Sequence, residues 1–551
     1  MNPEGLNKYL YVEKTPTWLV RAIFAISIFA WVLVLYGYSG IILYDPVYRW
    51  TAGPVLLFFS VYYFSSYGLN LFYTQYNVPE HAALIEQYWA LQRVEPPVDI
   101  FLPICDESLT ILRNTWHHVS RLKYENRRVY VLDDSRSGGD EHQRIAESYG
   151  FIYLSRLDKG WMKKSGNLRH AFEHTNGGDF IAVFDADFAP HPDFLRELLP
   201  YTSDPKVGIV QSPQYFETTK AMHDRSPLEY GAARVQEAFY RYIQVVRSRF
   251  GATICCGSNA IYRRTALESI GGFVLAEHSE DAWTGFELSN HGWQVLYVPI
   301  ILAIGLCPSD PHSYFHQQHR WGSGSLSLVL SNRFWQSKLT WKAKCCYGVG
   351  LLFYLSQPLA IIFSFQLFYF LFVYNGYISL GNGMLFYPAM VWGYLVLFFF
   401  SISRFRWGVL LALFMQMYSY SHAIFARLLK STVGWIPTNA KYGGITAAFK
   451  QATLAVGVYV AAYLALTGLA VHNGMLHLFN YNYFFLQFWM FYNLTFAGML
   501  LWWMYRAMET VRGKQIADGT LSHSSLMTWQ MKTAGLYTVL LLGAFFGIML
   551  L

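Results

Sequence analysis

Long apolar runs near both ends of the sequence constrain the fold most, because they leave a charged stretch over roughly 76–344 between them. The first two runs cover roughly 22–43 and 52–72, each close to the ~20 residues that a helix needs to cross a bilayer. The later runs are 345–374, 385–402, 407–429, 452–471, 483–504 and 534–551. This pattern predicts a polytopic helical membrane protein that carries one water-soluble domain.

Composition supports a membrane protein and argues against some partners. The chain is 54% hydrophobic and only 14% charged, unlike an ordinary soluble enzyme. The 18% aromatic content suits a path for a ligand with flat apolar faces, such as a sugar, although membrane-facing aromatics account for most of it. The net charge of +7 fits basic cytoplasmic loops, and no concentrated basic stripe indicates nucleic acid. The six cysteines lack metal-ligand spacing, which favours a reduced compartment.

Loop charges predict the membrane topology. The loops 376–384 and 471–477 contain no Lys or Arg, whereas 505–532 contains Arg506, Arg512, Lys514 and Lys532. Basic loops face the cytoplasm, and this rule is satisfied by seven spans only if 407–429 lies along the cytoplasmic interface instead of crossing. We therefore expect a multi-pass protein of the cell (inner or plasma) membrane with its soluble domain in the cytoplasm.

Acidic residues follow three short predicted strands of the soluble domain, at 98–103, 128–132 and 180–184. The carboxyl ends of parallel strands share one edge of a sheet, where ligands of open α/β sheets bind. A single Asp-x-Asp is more often a turn cap or a solvated pair, but its place directly after an apolar strand favours function. The residues expected at this edge are Glu107, Asp133, Asp134, Asp185 and Asp187.

The spacing of Asp185 and Asp187 suits a divalent cation, Mg²⁺ or Mn²⁺, held between the protein and diphosphate oxygens. Asp133 or Asp134 would then face a nucleoside base or ribose. Lys164 lies among small residues at a predicted helix start, which suits a phosphate contact, although a surface lysine is the ordinary alternative. Further along, Asp281 is a candidate general base, or else a helix N-terminal charge.

Four motifs in this order carry a family resemblance: Asp133-Asp134, Asp185-x-Asp187, Ser279-Glu280-Asp281 and Gln317-x-x-Arg320-Trp321. They resemble the signature of processive family 2 glycosyltransferases, the group of cellulose, chitin and hyaluronan synthases. The resemblance is nearest to bacterial cellulose synthase catalytic subunits, through Cys256-Gly257-Ser258 and the run 303–306. It implies a membrane hairpin (1–75), a cytosolic GT-A-like α/β domain with a Rossmann-type mixed sheet (76–344) and a membrane channel region (345–551).

The resemblance also implies roles for individual residues. It places the UDP-sugar against Glu107, Asp133, Asp134, Lys164, Asp185, Gln317 and Arg320. It implies a metal at Asp185 and Asp187, a catalytic base at Asp281, and acceptor contacts from Cys256, Glu280 and Trp321. A single in-line displacement would convert an α-linked nucleotide sugar into a β-glycosidic bond.

The segment 431–445 is similar to the gating loop of cellulose synthases, with the form FxVTxK. Trp435, Thr438 and Lys441 would take the loop's roles. Pro437 stands where the family has Val, and one extra residue precedes Lys441. An ordinary interhelical loop is the alternative.

The product expected from the resemblance is a β-glucan made from UDP-glucose. Cellulose is the nearest product, but Ser279 and Gln318-His319 depart from the cellulose synthase pattern and leave β-1,3 or mixed linkage open. The alternatives are a chitin- or hyaluronan-type synthase using UDP-N-acetylglucosamine, a non-processive lipid-linked sugar transferase, and a transporter or scaffold with a degenerate domain. The partners implied are the growing polysaccharide, membrane lipid and, in an exporting system, accessory export subunits.

Overall fold

Ten strands form two sheets in the middle of the described chain. The computed structural model describes residues 2–216, 218, 220–400, 405–430, 444–477 and 480–517. In chain order the strands are β1 Val98–Ile104, β2 Arg127–Asp133, β3 Ile152–Ser155, β4 Phe180–Val183, β5 Phe188–Pro190, β6 Val207–Gln211, β7 Tyr215–Phe216, β8 Ala260–Arg263, β9 Gln294–Tyr297 and β10 Ala303–Gly305. The main sheet has the order β3-β2-β1-β4-β8-β6-β9, and a small sheet has the order β5-β10-β7.

The main sheet is mixed, with β4 as its middle strand and β1 beside it, buried on both faces. Strand β1 pairs in parallel with β2 and β4, whereas β8 runs antiparallel to β4 and β6. Its side chains alternate between two cores, with Ile100 and Leu102 in one and Phe101 in the other, as pleating requires. The three strands predicted from the sequence are present, so their carboxyl ends do meet at one edge.

Helices precede, cover and follow the sheets. The N-terminal helices are α1 Leu10–Glu13, α2 Thr17–Tyr44, α3 Pro46–Thr51, α4 Gly53–Asn70 and α5 Val78–Leu91. The middle helices are α6 Leu109–Ser120, α7 Gly139–Ser148, α8 Lys163–His174, α9 Phe194–Leu198, α10 Lys220–Arg225, α11 Pro227–Ala238, α12 Gln244–Arg249, α13 Arg264–Ser269, α14 Glu280–Asn290, α15 Pro311–Val329 and α16 Asn332–Trp335. The C-terminal helices are α17 Trp341–Phe363, α18 Gln366–Val373, α19 Leu380–Gly383, α20 Tyr387–Phe400, α21 Gly408–Leu428, α22 Ala447–His472 and α23 Phe484–Ala517.

Among the residues described, five helices are long and apolar enough to cross a membrane. They are Thr17–Tyr44, Trp341–Val373, Gly408–Leu428, Ala447–His472 and Tyr481–Val511. The apolar runs predicted at 52–72 and 385–402 form the shorter helices α4 and α20, and the run 534–551 lies outside the described residues. The number of spans, predicted as seven, therefore stays a prediction.

Helix α21 differs from the other long apolar helices in how little of it is exposed. It packs against α11 and α15 of the middle domain and against the apolar helices α17, α22 and α23. In its most apolar window 78% of the residues are buried within the protein, against 28% for α22. The helix predicted to lie along the interface at 407–429 is thus a link between the soluble domain and the helical bundle.

Two glycines allow α11 and α21 to touch through their backbones. A methyl group on Gly231 would overlap the carbonyl of Gly408, and one on Gly408 would overlap the carbonyl of Pro227. Neither clash can be relieved by a side-chain rotation, because backbone lies on both sides. The crossing of these two helices therefore requires glycine at both positions.

We expect Gly231→Ala to destabilise the protein by about 1–3 kcal/mol, the usual effect of overpacking. Thermal unfolding of the purified protein in detergent would measure it. Gly348→Ala is the matched control, because Gly348 lies in α17 with nothing within 4 Å of the added methyl group. Equal unfolding temperatures for the two variants would contradict the proposed backbone contact.

Candidate active site

A cavity of ≈ 1030 Å³ opens beyond the carboxyl ends of β1, β2 and β4 and continues between the apolar helices. The predicted site residues that line it are Glu107, Asp134, Lys164, Asp185, Asp187, Cys256, Glu280, Asp281, Gln317, Arg320 and Trp321. Asp133 is not among its lining residues. Trp435, Thr438 and Lys441 lie outside the described residues.

Asp133 is enclosed by donors from its own domain. Its carboxylate accepts hydrogen bonds from His142 Nδ1 at 2.9 Å, Tyr153 Oη at 2.7 Å and the Ser135 amide at 2.7 Å. Burial acts to raise the pKa of Asp133, but these hydrogen bonds outweigh it and lower the pKa below its ordinary value. The carboxylate anchors the turn after β2, and its contact with a nucleotide stays a prediction.

Asp134 faces the cavity but is held by Arg156, a residue that the sequence motifs did not point to. The guanidinium Nε and Nη2 each donate to the carboxylate at 2.8 Å, and the Gly160 amide donates at 3.1 Å. Such a two-point ion pair fixes orientation. Lys159 closes the same wall by donating to the Ser135 carbonyl at 3.0 Å.

Three carboxylates crowd the end of the two central strands. Glu107 follows β1, and Asp185 and Asp187 follow β4, where the Ser258 hydroxyl accepts from the Asp185 amide at 2.9 Å. Burial, with the charge of Asp185, raises the pKa of Asp187 to about 7. Burial likewise raises the pKa of Glu107 to about 8, with the charges of Asp187 and Asp185 adding to it.

This donor set fits a divalent cation bound together with a ligand. Crowded carboxylate oxygens are the donors that Mg²⁺ and Mn²⁺ prefer, and a cation would relieve the repulsion between Asp185 and Asp187. In the described part of the chain no cluster of three or more His, Cys, Asp or Glu side chains forms a complete metal site. Asp185 and Asp187 would therefore supply part of the coordination shell, and diphosphate oxygens or water the rest.

Lys164 is the cation that touches several of these acids. Its ammonium donates to Asp185 and to the Gly257 carbonyl at 3.0 Å, and lies 3.8 Å from Glu280 Oε1. Burial acts to lower the pKa of Lys164, but Asp185 and Glu280 outweigh it and raise the pKa above its ordinary value. The neighbouring Lys163 adopts a left-handed φ of 52°, a conformation that costs free energy and often marks functional sites.

Asp281 lies in the first turn of α14, which begins at Glu280 after the left-handed residue Ser279 with φ 53°. Burial raises the pKa of Asp281 to about 7, the charge of Glu280 adds to it, and Lys164 opposes it. Gly257, with φ 73°, leaves space for this side chain, because a methyl group there would lie 2.8 Å from Asp281 Oδ2. An acid with a pKa near the working pH suits a general base.

Helix α15 presents Gln317, Arg320 and Trp321 to the cavity. The helix begins at Pro311 behind the cap Asp310, whose carboxylate accepts from the Ser313 amide at 2.9 Å. It lies close against the start of α14, because a methyl group on Gly324 would overlap Ser279. The positive charge of Arg320 lowers the pKa of Asp187 and Glu280 in opposition to burial, so this helix adds a cation to the acidic site.

The same cavity reaches the apolar helices, through residues that no sequence motif indicated. The residues facing it include Tyr62 and Ser66 of α4, Tyr347 and Tyr354 of α17, and Leu413, Gln416 and Tyr420 of α21. Aromatic rings and a few hydrogen-bonding groups are the surfaces that sugars contact. In the sequence, the polar residues that interrupt the apolar run 407–429 could have indicated that this helix lines a cavity. By themselves, however, they also suit a helix that lies along the membrane interface.

The comparison with protein families agrees with this geometry. A family described as "Glycosyltransferase like family 2" matches residues 96–324, which span β1 to most of α15. Residues 96–324 are a family 2 glycosyltransferase domain. This match confirms the predicted family for residues 96–324, and the mixed sheet beside long apolar helices agrees with the predicted GT-A-like α/β domain.

Curated relatives at about one-third identity are bacterial cellulose synthases. "Cellulose synthase 1" of Komagataeibacter xylinus is 34% identical over 284 residues, which are 49% of this chain and 18% of the relative. "Cellulose synthase 1 catalytic subunit [UDP-forming]" of the same organism is 32% identical over 338 residues, 58% of this chain and 44% of the relative. The chain therefore spans less than half the length of these relatives.

A solved structure also aligns with the chain. It is the mannosyltransferase PcManGT from Pyrobaculum calidifontis in complex with GDP-Man and Mn²⁺, 13% identical with a TM-score of 0.43. The alignment covers 69% of this chain and 99% of the mannosyltransferase.

Proposed function

We propose that the chain is a processive, inverting glycosyltransferase that polymerises glucose from UDP-glucose into a β-glucan and passes the polymer between its membrane helices. The observation that carries this proposal is the continuity of one cavity from Asp185, Asp281 and Arg320 to Tyr354 and Tyr420. A transferase that releases each product into the cytoplasm has no use for a site that continues into a helical bundle. The curated relatives named as UDP-forming cellulose synthases support the donor and the sugar.

In this mechanism Asp281 accepts the proton of an acceptor hydroxyl. That oxygen attacks the anomeric carbon of the donor sugar from the face opposite the diphosphate, and UDP departs with the electrons of the broken bond. Arg320 and Lys164 stabilise the charge that develops on the leaving group, while Trp321 supports the acceptor sugar. A divalent cation held at Asp185 and Asp187 would neutralise diphosphate charge when bound.

The remaining predictions are parts of the same proposal. Glu107 and Asp134 would line the nucleotide end of the cavity, and Cys256 and Glu280 the acceptor end. The segment 431–445 would close over the donor from the cytoplasmic side, which requires the loop after α21 and the catalytic domain to share one face of the membrane. The basic stretch 505–532 supports the cytoplasm as that face. Accessory export subunits would act on the polymer beyond it.

The test is to supply the purified protein in lipid vesicles with labelled UDP-glucose or UDP-N-acetylglucosamine, together with Mg²⁺ or Mn²⁺. We expect a long polymer from UDP-glucose, and linkage-specific glycosidases would show whether its bonds are β-1,4, β-1,3 or mixed. Polymer from UDP-N-acetylglucosamine alone would replace glucan with a chitin-type product. Transfer of single sugars to lipid would reject processivity.

The rate of transfer should depend on pH through Asp281. Burial raises its pKa to about 7, and a general base works only when deprotonated. The rate is therefore full above this pKa and falls as the pH drops through it, by about tenfold per pH unit on the acid side. Initial rates at saturating UDP-glucose, with UDP binding measured at each pH, would check this. A rate constant that stays level from about pH 8 to pH 5.5 would reject Asp281 as the base.

A further inference from the structure

Gln318 lies behind Gln317 and takes part in a buried chain of hydrogen bonds between α15 and α21. Its side chain is fully buried, at 0% exposure. Its Oε1 accepts from Tyr420 Oη at 2.5 Å and from Gln416 Nε2 at 3.1 Å. Its Nε2 donates to Gln317 Oε1 at 3.2 Å. Gln317 is thus joined to α21 through a residue that does not itself line the cavity.

These hydrogen bonds determine which end of the Gln317 amide faces the ligand. An amide carries an acceptor oxygen and a donor nitrogen, and both ends of Gln318 are engaged. Because Gln318 donates to the Gln317 oxygen, the NH₂ group of Gln317 is left for the cavity. Turning the Gln317 amide around would set two NH₂ groups against each other, and a buried donor without an acceptor is costly.

A fixed donor matters only for a ligand that cannot donate in return. A sugar hydroxyl both donates and accepts, so it would bind either end of the amide. Diphosphate oxygens only accept. Arg320 lies three residues further along α15, where side chains share one helical face, and it also carries only donors. Gln317 and Arg320 together therefore form a donor pair that matches a diphosphate.

We propose that Gln318, held by Tyr420 and Gln416, is a positioning residue that turns the Gln317 NH₂ group towards the diphosphate of the nucleotide. This inference rests on the proposed function and adds residues to it. It also gives a purpose to a position at which the chain departs from the cellulose synthase pattern. Helix α21 then takes part in nucleotide binding through Gln318, which lies behind Gln317 and does not itself line the cavity.

The experiment measures UDP affinity by calorimetry on the detergent-solubilised full chain with Mg²⁺. Gln318→Leu should weaken UDP binding roughly tenfold, the usual effect of losing a well-placed hydrogen bond to a charged group. Gln317→Leu should weaken it by a similar factor. The double variant should be no weaker than Gln317→Leu, because Gln318 acts through Gln317. Ser419→Ala is the control: the Ser419 hydroxyl joins the same two helices by donating to the Phe315 carbonyl at 2.7 Å, and its loss should leave UDP affinity unchanged.

A conservative variant supplies a readout that a general packing defect would not move. In Gln318→Glu the ionised side chain cannot donate to Gln317, whereas the protonated acid can. Its UDP affinity relative to wild type should therefore recover as the pH is lowered from about 8 to 6, while Gln318→Leu shows no recovery. Wild-type affinity in Gln318→Leu, or losses that add in the double variant, would overturn the positioning role. A wild-type protein that binds no UDP would instead reject the proposed function.

Discussion

Replacing Asp281 by Asn is expected to slow sugar transfer by at least ~100-fold, in the usual range for loss of a general base. The substitution keeps the shape of the side chain and its hydrogen bond from the Ala282 amide, 2.7 Å in the wild-type protein. It removes only the ability to accept a proton. Because Asp281 acts on the acceptor hydroxyl, UDP affinity should stay within about threefold of wild type. Initial rates of polymer formation and calorimetric titration with UDP are the two measurements.

A matched control is Glu268→Gln, which removes an exposed acid from the same domain at the end of α13. Its rate should equal that of wild type. Retained polymer synthesis in Asp281→Asn would move the base to another acid of the cavity. Loss of UDP binding together with loss of transfer would indicate instead that the substitution disturbs the site around Lys164, whose pKa depends in part on Asp281.

The edge of the main sheet could be predicted from the sequence because short-range features specify it. Few other structures suit an apolar strand that is followed directly by an acidic residue, and parallel strands place these acidic residues together at one edge of the sheet. Glu107, Asp185 and Asp187 follow β1 and β4 as expected. The order of motifs then located Asp281 and Arg320, which come from helices distant in sequence.

The partners of the predicted residues could not be found in the same way. Arg156 binds Asp134 across 22 residues and belongs to no motif, and His142 belongs to a helix that follows Asp133. These contacts depend on how the chain folds back, not on a local pattern. They nevertheless decide that Asp133 faces inward and that Asp134 is already paired.

The residues that line the membrane side of the cavity could not be predicted from the sequence for a different reason. Apolar periodicity does not distinguish a helix that faces lipid from one that faces other helices, so α21 could be judged only by its loop charges. Its burial between the catalytic domain and the bundle comes from the glycine contact with α11 and from its packing on α15. Gln416 and Tyr420 then acquire a function that an isolated amphipathic helix would not give them.

Asp187→Asn should reduce transfer by ~100-fold at low divalent cation concentration, with partial recovery as the cation concentration rises. The loss follows because a neutral amide is a weaker ligand than a carboxylate for a hard cation. Assays over a range of Mn²⁺ concentrations would show a higher half-saturating concentration than in wild type. The electron paramagnetic resonance signal of Mn²⁺ bound together with UDP should weaken in parallel. This measurement does not depend on turnover.

Asp281→Asn separates the two kinds of acid in this site. If Asp187 binds the cation and Asp281 accepts the proton, Asp281→Asn should keep the wild-type cation dependence of UDP binding, whereas Asp187→Asn should shift it. Both acids have a pKa raised to about 7 by burial, so titration alone cannot tell them apart. Their neighbours differ, however: Asp187 lies beside Asp185 at the end of β4, and Asp281 lies beside Glu280 at the start of α14. An unchanged Mn²⁺ requirement in Asp187→Asn would exclude this carboxylate as a metal ligand.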